Sequence, residues 1–358
     1  MKKIIFKILI LIMISIIISC SNENSGTKKE NIQLSENEKL QVFDMRYLTS
    51  ENGEYLYLNV ILEENSKSVF VDYVFYENQS INAFIFDTEI NEGYISADYI
   101  EGNLSDAGFN GKIEGREVNF VNSKSPLSDA KIVRYTYTNI STTNASEEDK
   151  KIFEYYSSIF LFNNDKKSAI IDKINLDINS EITNAKLDIN KLSDIKNILS
   201  NNILPFYNEW AGEGEYGYNY DSISEYGIDY LSEKIASINE YFYEYTGGAH
   251  GVHGKIYKVY SLSNGERLKI EDILIDVNNL DLINKVKEKL LSNADEESYF
   301  NLDGLSLQEN NFYITSKGLT FTWGIYEIAP YATGDSEVLF SIDEIMPYLK
   351  DEYKSIFE

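Results

Sequence analysis

The strongest constraint on this chain is a two-residue alternation that runs through its first third. In E-Y-L-Y-L-N-V-I-L, Leu56, Leu58, Val60 and Leu62 fall on one side and Tyr55, Tyr57 and Asn59 on the other. In V-F-V-D-Y-V-F-Y, Val69, Val71, Tyr73 and Phe75 oppose Phe70, Asp72, Val74 and Tyr76. That period belongs to strands, whose side chains point alternately to the two faces of a sheet. Further strand-like stretches, Ile81–Asp87, Gly93–Ile100 and Phe109–Phe120, are separated by clusters of Asn, Gly, Asp and Ser. Strands spaced so closely predict a mostly antiparallel β domain over residues 40–127. The patch S-K-S-P-L-S-D at 123–129 reads as a boundary, with a second domain over 128–358. A chain that is 43% hydrophobic, with 28 tyrosines and 4 prolines, buries a core of this length more readily as two domains than as one.

The second half mixes periods. Strands are predicted at Lys131–Ile140 and Phe153–Phe162. A helix follows, with Ile171, Ile174, Ile178 and Ile182 on one stripe. A second helix is expected from Leu187 to about Asn201, ended by Pro205. Residues 210–227, rich in glycine, tyrosine and acid, read as an exposed loop. Strand character returns at Ile235–Tyr245, where Tyr241, Tyr243 and Tyr245 share a face. A hairpin over 256–270 turns at Asn264-Gly265. A helix at Asp276–Ser292 puts Leu280, Ile283, Val286, Lys287 and Leu290 on its inner edge. Strands around a Lys317-Gly318 turn and at E-V-L-F-S-I, then a short helix at Ile342–Leu349, complete the chain. The fold class is α+β: an antiparallel sheet with a few helices on one face, preceded by the β-rich domain.

The N-terminus reads as an export signal. Lys2, Lys3 and Lys7 precede an apolar run from Ile8 to Ile18, short for a spanning helix and followed by polar residues. It ends I-I-S-C, which resembles the lipobox of bacterial lipoproteins. Cys20 is the chain's single cysteine, and a lone thiol in an exported protein forms no internal disulfide, so lipid attachment is its simplest use. An uncleaved signal anchor is the alternative. Residues 1–19 are therefore read as signal peptide and 20–39 as a polar tether. The expected place is the bacterial cell envelope, lipid-anchored and facing the periplasm or the exterior. Without the three signal lysines the chain carries 29 basic against 58 acidic residues. That charge repels nucleic acid and favours cationic partners.

Both histidines lie in Y-T-G-G-A-H-G-V-H-G, residues 245–254. Glycines at 247, 248, 251 and 254 argue against a helix, and on a strand His250 and His253 would point to opposite faces. A zinc site needs further ligands, and the chain has no other histidine and no second cysteine. The motif reads first as a backbone device or partner contact; metal binding and acid–base chemistry are the lesser alternatives. There is no G-x-S-x-G or comparable nucleophile elbow. No catalytic residue, metal or cofactor is expected.

The run Y-x-Y-T-G-G-A-H-G at 243–251, with Tyr245, Gly247, Gly248, Ala249, His250 and Gly251, leads into N-G-E-R-L-K-I-E-D-I-L. It resembles the extracellular domain family typified by the anti-sigma factor RsiV, found also as the N-terminal, non-catalytic part of the deacetylase PdaC. The Y-E-I-A-P-Y-A-T-G segment is similar to that family's closing motif, with Tyr326, Pro330, Tyr331 and Gly334 matching. S-A-I-I-D-K-I-N at 168–175 resembles its first helix. The resemblance spans roughly residues 150–350. It implies an α+β extracellular domain that binds lysozyme in its best-understood member, and neither the signalling nor the deacetylase segment has a counterpart here. The expected function is a non-enzymatic binding lipoprotein for a lysozyme-like basic protein, through Trp210, Glu213, Glu215, Tyr216, Tyr218 and Tyr220. Binding of peptidoglycan fragments by Trp210, Trp323 and nearby tyrosines is the alternative. An unrecognised hydrolase would rest on generic acids alone.

Overall fold

The computed structural model describes residues 38–50, 55–61, 69–74, 81–86, 90–91, 93–97, 100–140, 151–212, 218–300, 302–308 and 311–357. The signal, nearly all of the tether, Cys20, Glu213, Glu215 and Tyr216 lie outside them. The fold is α+β, built on a large, mostly antiparallel sheet, as the periodicities predict.

The strands of the first third are β1 (Glu38–Thr49), β2 (Tyr55–Ile61), β3 (Val69–Val74), β4 (Ile81–Phe86), β5 (Ile90–Asn91), β6 (Tyr94–Ala97), β7 (Ile100–Ser105), β8 (Gly108–Ile113) and β9 (Arg116–Asn122). Two stretches read as single strands are hairpins. Phe109–Phe120 breaks at Glu114-Gly115, both at positive φ (50° and 78°), the backbone that a two-residue β-turn requires. Leu48, Leu56, Leu58, Ile95, Ile100, Phe109, Ile113, Val118 and Phe120 form this region's own core.

β10 (Asp129–Ile140), β11 (Ile152–Phe162), β12 (Tyr220–Leu231), β13 (Ile235–Tyr245), β14 (Val252–Ser261) and β15 (Arg267–Leu268) continue the same sheet, in the order β15-β14-β13-β12-β11-β10-β1-β9. β1 pairs with β10 from Glu38↔Tyr137 to Arg46↔Asp129, so the sheet runs across the boundary expected at 127/128. β11 and β12 are parallel; the rest of this run is antiparallel. Parallel neighbours need a long crossover. Here it holds α1 (Ala169–Ile178) and α2 (Leu192–Gly212).

α1 buries Ile174 and Ile178 of the predicted stripe and ends before Ile182. Asn179 stops it by turning its amide back onto Asn175 O, at 2.7 Å. The same amide meets Phe160 N at 3.0 Å and Phe160 O at 2.7 Å, while Asn175 meets Phe162 N at 2.8 Å and Phe162 O at 2.9 Å. β12 stops pairing with β11 at Ser157, so two side-chain amides take its place along that edge. α2 differs from the expectation. It starts at Leu192 and runs through Pro205 to Gly212, because Ile195, Leu199, Ile203 and Trp210 anchor it in the core on both sides of the proline. A proline removes one backbone hydrogen bond, and tertiary packing here outweighs that loss.

β16 (Asn311–Thr315), β17 (Gly318–Trp323) and β18 (Ser336–Ser341) form a three-stranded sheet. It packs with α3 (Leu280–Asn293) around Leu282, Val286, Leu290, Phe321, Trp323 and Phe340. The Asn279 side chain caps α3 through Leu282 N at 3.0 Å. That later start leaves Leu280 74% exposed and makes Leu282, Val286 and Leu290 the inner edge. Among the described residues no helix is long and apolar enough to cross a membrane.

Candidate partner-binding surface

The β13–β14 connection is built by its glycines. Gly247 and Gly248 sit at φ 90° and 98°, a region that residues with a Cβ avoid. The Tyr245 hydroxyl donates to Gly248 O at 3.0 Å and closes the turn. Gly251 and Gly254 have a different task. A Cβ on Gly251 would come within 2.5 Å of the Tyr243 ring, and one on Gly254 within 2.9 Å of the Phe242 ring. Each missing side chain is the seat of an aromatic on the neighbouring strand.

His250 emerges from this turn and stacks on Tyr331, with ring centroids 4.0 Å apart and planes 25° from parallel. His253 meets the same ring edge-on at 5.8 Å, and Tyr326 leans on it at 5.9 Å. The two sequence motifs, far apart in the chain, therefore converge on one tyrosine. Tyr326 holds φ 65°, unusual for a tyrosine, and is 53% exposed. Its N–H donates to Ala329 O at 3.0 Å, and the Glu327 carboxylate accepts from Gly324 N at 3.0 Å. Gly334, at φ 74°, ends the turn that Pro330 begins. The histidines thus share an aromatic partner, and His250 Nδ1 lies 3.0 Å from Gly251 O. Among the described residues no three His, Cys, Asp or Glu side chains are placed to hold a metal ion.

Beside this junction lies an open sheet face. Ladder partners share a face, so the pairs Asp221↔Tyr245, Ile223↔Tyr243 and Glu225↔Tyr241 align with Glu154↔Asp221 and Tyr156↔Ile223 on one side, and with Tyr243↔His253 on the other. All of these side chains are half-buried. Desolvation first, and then the nearby Asp221 and Tyr331, hold the Tyr243 phenol above its ordinary pKa. Burial likewise raises the Asp221 carboxyl. Asp221 Oδ1 is shut off from solvent and has no hydrogen-bond partner among the described residues. Arg134, by contrast, pairs with Glu225 at 2.6 Å.

The opposite face is closed. Trp210 packs 5.4 Å from Phe153, Tyr220 stacks on Phe153 at 4.6 Å, and both are buried. Neither offers a ring to a partner, because α2 lies over them. The expectation that they line a recognition loop is corrected: Trp210 ends a helix and Tyr220 opens β12. The Trp210 indole instead donates to Tyr218 O at 2.6 Å. Tyr218 lays its ring over Gly247, where a Cβ would meet it at 3.0 Å, so the loop and the glycine turn do touch. Trp323 is buried in the core of the three-stranded sheet.

Sequence reasoning missed Asp221, Ile223 and Glu225 because 210–227 read as loop, and with that strand unseen Tyr156, though in a predicted strand, had no neighbour to mark its face. β12 is half-buried on both faces, so Y-D-S-I-S-E-Y shows no clean apolar alternation. The remaining signal was the spacing of Tyr220, Tyr226 and Ile228 along one face.

Comparison with known proteins finds a family model that matches part of the chain. No curated protein matches the chain. A DUF3298-family protein of Bacteroides fragilis is 19% identical with a TM-score of 0.48, and the alignment covers 62% of this chain and 94% of that one. A DUF3298-family protein of Pseudomonas aeruginosa is 16% identical with a TM-score of 0.40, over 62% and 94%. Residues 271–343, which include Tyr326, Pro330, Tyr331 and Gly334 but not the G-G-A-H-G turn, match the family described as a protein of unknown function, DUF3298.

Proposed function

We propose that this chain is a non-enzymatic binding lipoprotein of the bacterial envelope that captures a basic, lysozyme-like protein on its open tyrosine face. The observation that carries the reading is the stacking of His250 on Tyr331, which joins both motifs of the family resemblance at the surface. Half-buried tyrosine rings beside half-buried carboxylates, with Tyr326 exposed next to them, suit a cationic partner: the rings supply contact area at low entropy cost, and the charge steers encounter. A strained, exposed Tyr326 fits the same use, since left-handed backbone at a bulky residue costs about 1–2 kcal/mol and persists where something selects for it.

The test is surface plasmon resonance with immobilised residues 21–358 and hen-type lysozyme at two ionic strengths. Binding is expected to be saturable, with an association rate that falls as salt rises. Tyr331→Ala is expected to raise the dissociation rate at least tenfold, since a central aromatic anchor contributes roughly 2 kcal/mol. Absence of saturable binding by the folded protein refutes this reading, and saturable binding of soluble peptidoglycan fragments in its place would establish the glycan alternative.

A further inference from the structure

We infer that the cavity between the β9–β10 corner and the β12–β13 turn binds a short zwitterionic peptide, with Lys124 at its carboxylate and Glu233 at its ammonium. The site is separate from the partner surface and does not depend on the capture of a basic protein. Ile235, just after the β12–β13 turn, and Tyr245, before the glycine turn, are ten residues apart on β13, about 33 Å of strand.

The cavity has a topological origin. On one side β1 changes partner, from β10 as far as Arg46↔Asp129 to β9 from Leu48↔Asn122 onward. The corner joining β9 to β10 loops out around this change. Tyr47 N donates to Ser128 O at 3.0 Å, and Ser123 N donates to Tyr47 O at 3.3 Å. The β12–β13 turn lines the other side and leaves a cavity of about 320 Å³. That volume is near the lower end of the range for small-molecule sites, about 300–1,000 Å³, and suits a dipeptide rather than a folded partner. The lining states the chemistry of the ligand. Tyr230, Leu231 and Val121 supply apolar wall, and Val121 is 49% exposed. Lys124 and Glu233 line the cavity from different turns, both exposed, and among the described residues neither has an ion-pair partner. A ligand that carries both charges meets both at once. Being neutral overall, it is not repelled by the chain's formal charge of −26. The Lys124 end is also rich in donors. Ser123 Oγ accepts from Ser125 N at 3.1 Å and Ser125 Oγ from Leu127 N at 3.3 Å, which fixes both oxygens and leaves their protons to donate. Hydroxyl donors beside an ammonium suit a carboxylate. A saccharide would use the hydroxyls and leave both charges idle.

The experiment is calorimetric titration of residues 21–358 with the dipeptide alanylphenylalanine, its N-acetylated form and its C-terminal amide. Each blocked form is expected to bind roughly fivefold more weakly, near the upper worth of an exposed ion pair. Lys124→Met should weaken the free dipeptide by a similar factor and leave the amide unchanged. Glu233→Gln should weaken the free dipeptide likewise and spare the N-acetylated form. In both cases the substitution removes a contact that the blocked ligand has already lost. Both positions are exposed, so these variants test binding and not folding. Tyr331→Ala should leave all three affinities unchanged, whatever it does to lysozyme binding, which keeps this site distinct from the partner surface. Equal binding of free and blocked dipeptides, or no saturable binding of the free dipeptide at about 10 mM, overturns the inference.

Discussion

Asp229 shows what one residue does when an extra position is forced into a strand. The ladder between β12 and β13 slips between Ile228 and Tyr230, and Asp229 is the residue left over. Its side chain is buried; Oδ1 accepts from Asn239 at 2.8 Å and Oδ2 has no partner among the described residues. Desolvation pushes its pKa up to about 7, opposed by the Asn239 bond and the Lys255 charge and reinforced by Glu337. In the unfolded chain the same acid titrates near its ordinary value of about 4. Between those values the folded state holds a proton that the unfolded state has lost, so this group's contribution to stability falls as pH rises from about 4 to about 7, then levels. Asp229→Asn is expected to match the unaltered chain near pH 4 and to exceed it at pH 8 by about 4 kcal/mol. Denaturant melts at both pH values check this, and an equal gap at both refutes it. No sequence pattern announces such a residue, because a bulge depends on the register of two strands. The glycine motif was more legible. Successive glycines admit positive φ at little steric cost, and the structure has Gly247 and Gly248 there. The seats for Tyr243 and Phe242 at Gly251 and Gly254 needed the partner strand's register to be visible.

At the scale of elements, the edge of β11 depends on an asparagine pair. Four residues along a helix rise about 6 Å and two along a strand about 6.6 Å, so Asn175 and Asn179 match Phe162 and Phe160. Each amide supplies one donor and one acceptor, as a neighbouring strand would. Asn179→Ala is expected to destabilise the fold by about 3 kcal/mol, because it leaves both the N–H and the C=O of buried Phe160 unpaired. Asn175→Ala, at a less buried position, should cost less; thermal melts of the two variants compare them, and a neutral Asn179→Ala refutes the role. Elements were readable where one physical cause dominated. β13 matches its predicted bounds, Ile235–Tyr245, because bulky residues fill both of its faces. The start of α3 was misplaced by four residues because a capping asparagine, rather than the apolar stripe, sets it. Proline suggested the end of α2, and packing carried the helix past it.

For the whole molecule, the consequential expectation is attachment to the membrane through Cys20. The prediction is incorporation of labelled fatty acid into the expressed protein, abolished by Cys20→Ala; unchanged labelling in the variant refutes it. An anchor of that kind bears on the place of β1. The first described strand is not at an edge. It lies inside the sheet, paired with β10 from Glu38 to Arg46 on one side and with β2 from Phe43 to Thr49 on the other. A pull transmitted through a tether would enter the fold at Glu38 and run along the strand axis. The ladder bonds lie across that axis, so they are loaded together in shear instead of opening one after another. A chain held by its N-terminus against flow, or against a partner fixed in the cell wall, would thus meet force with a strand that is paired on both sides.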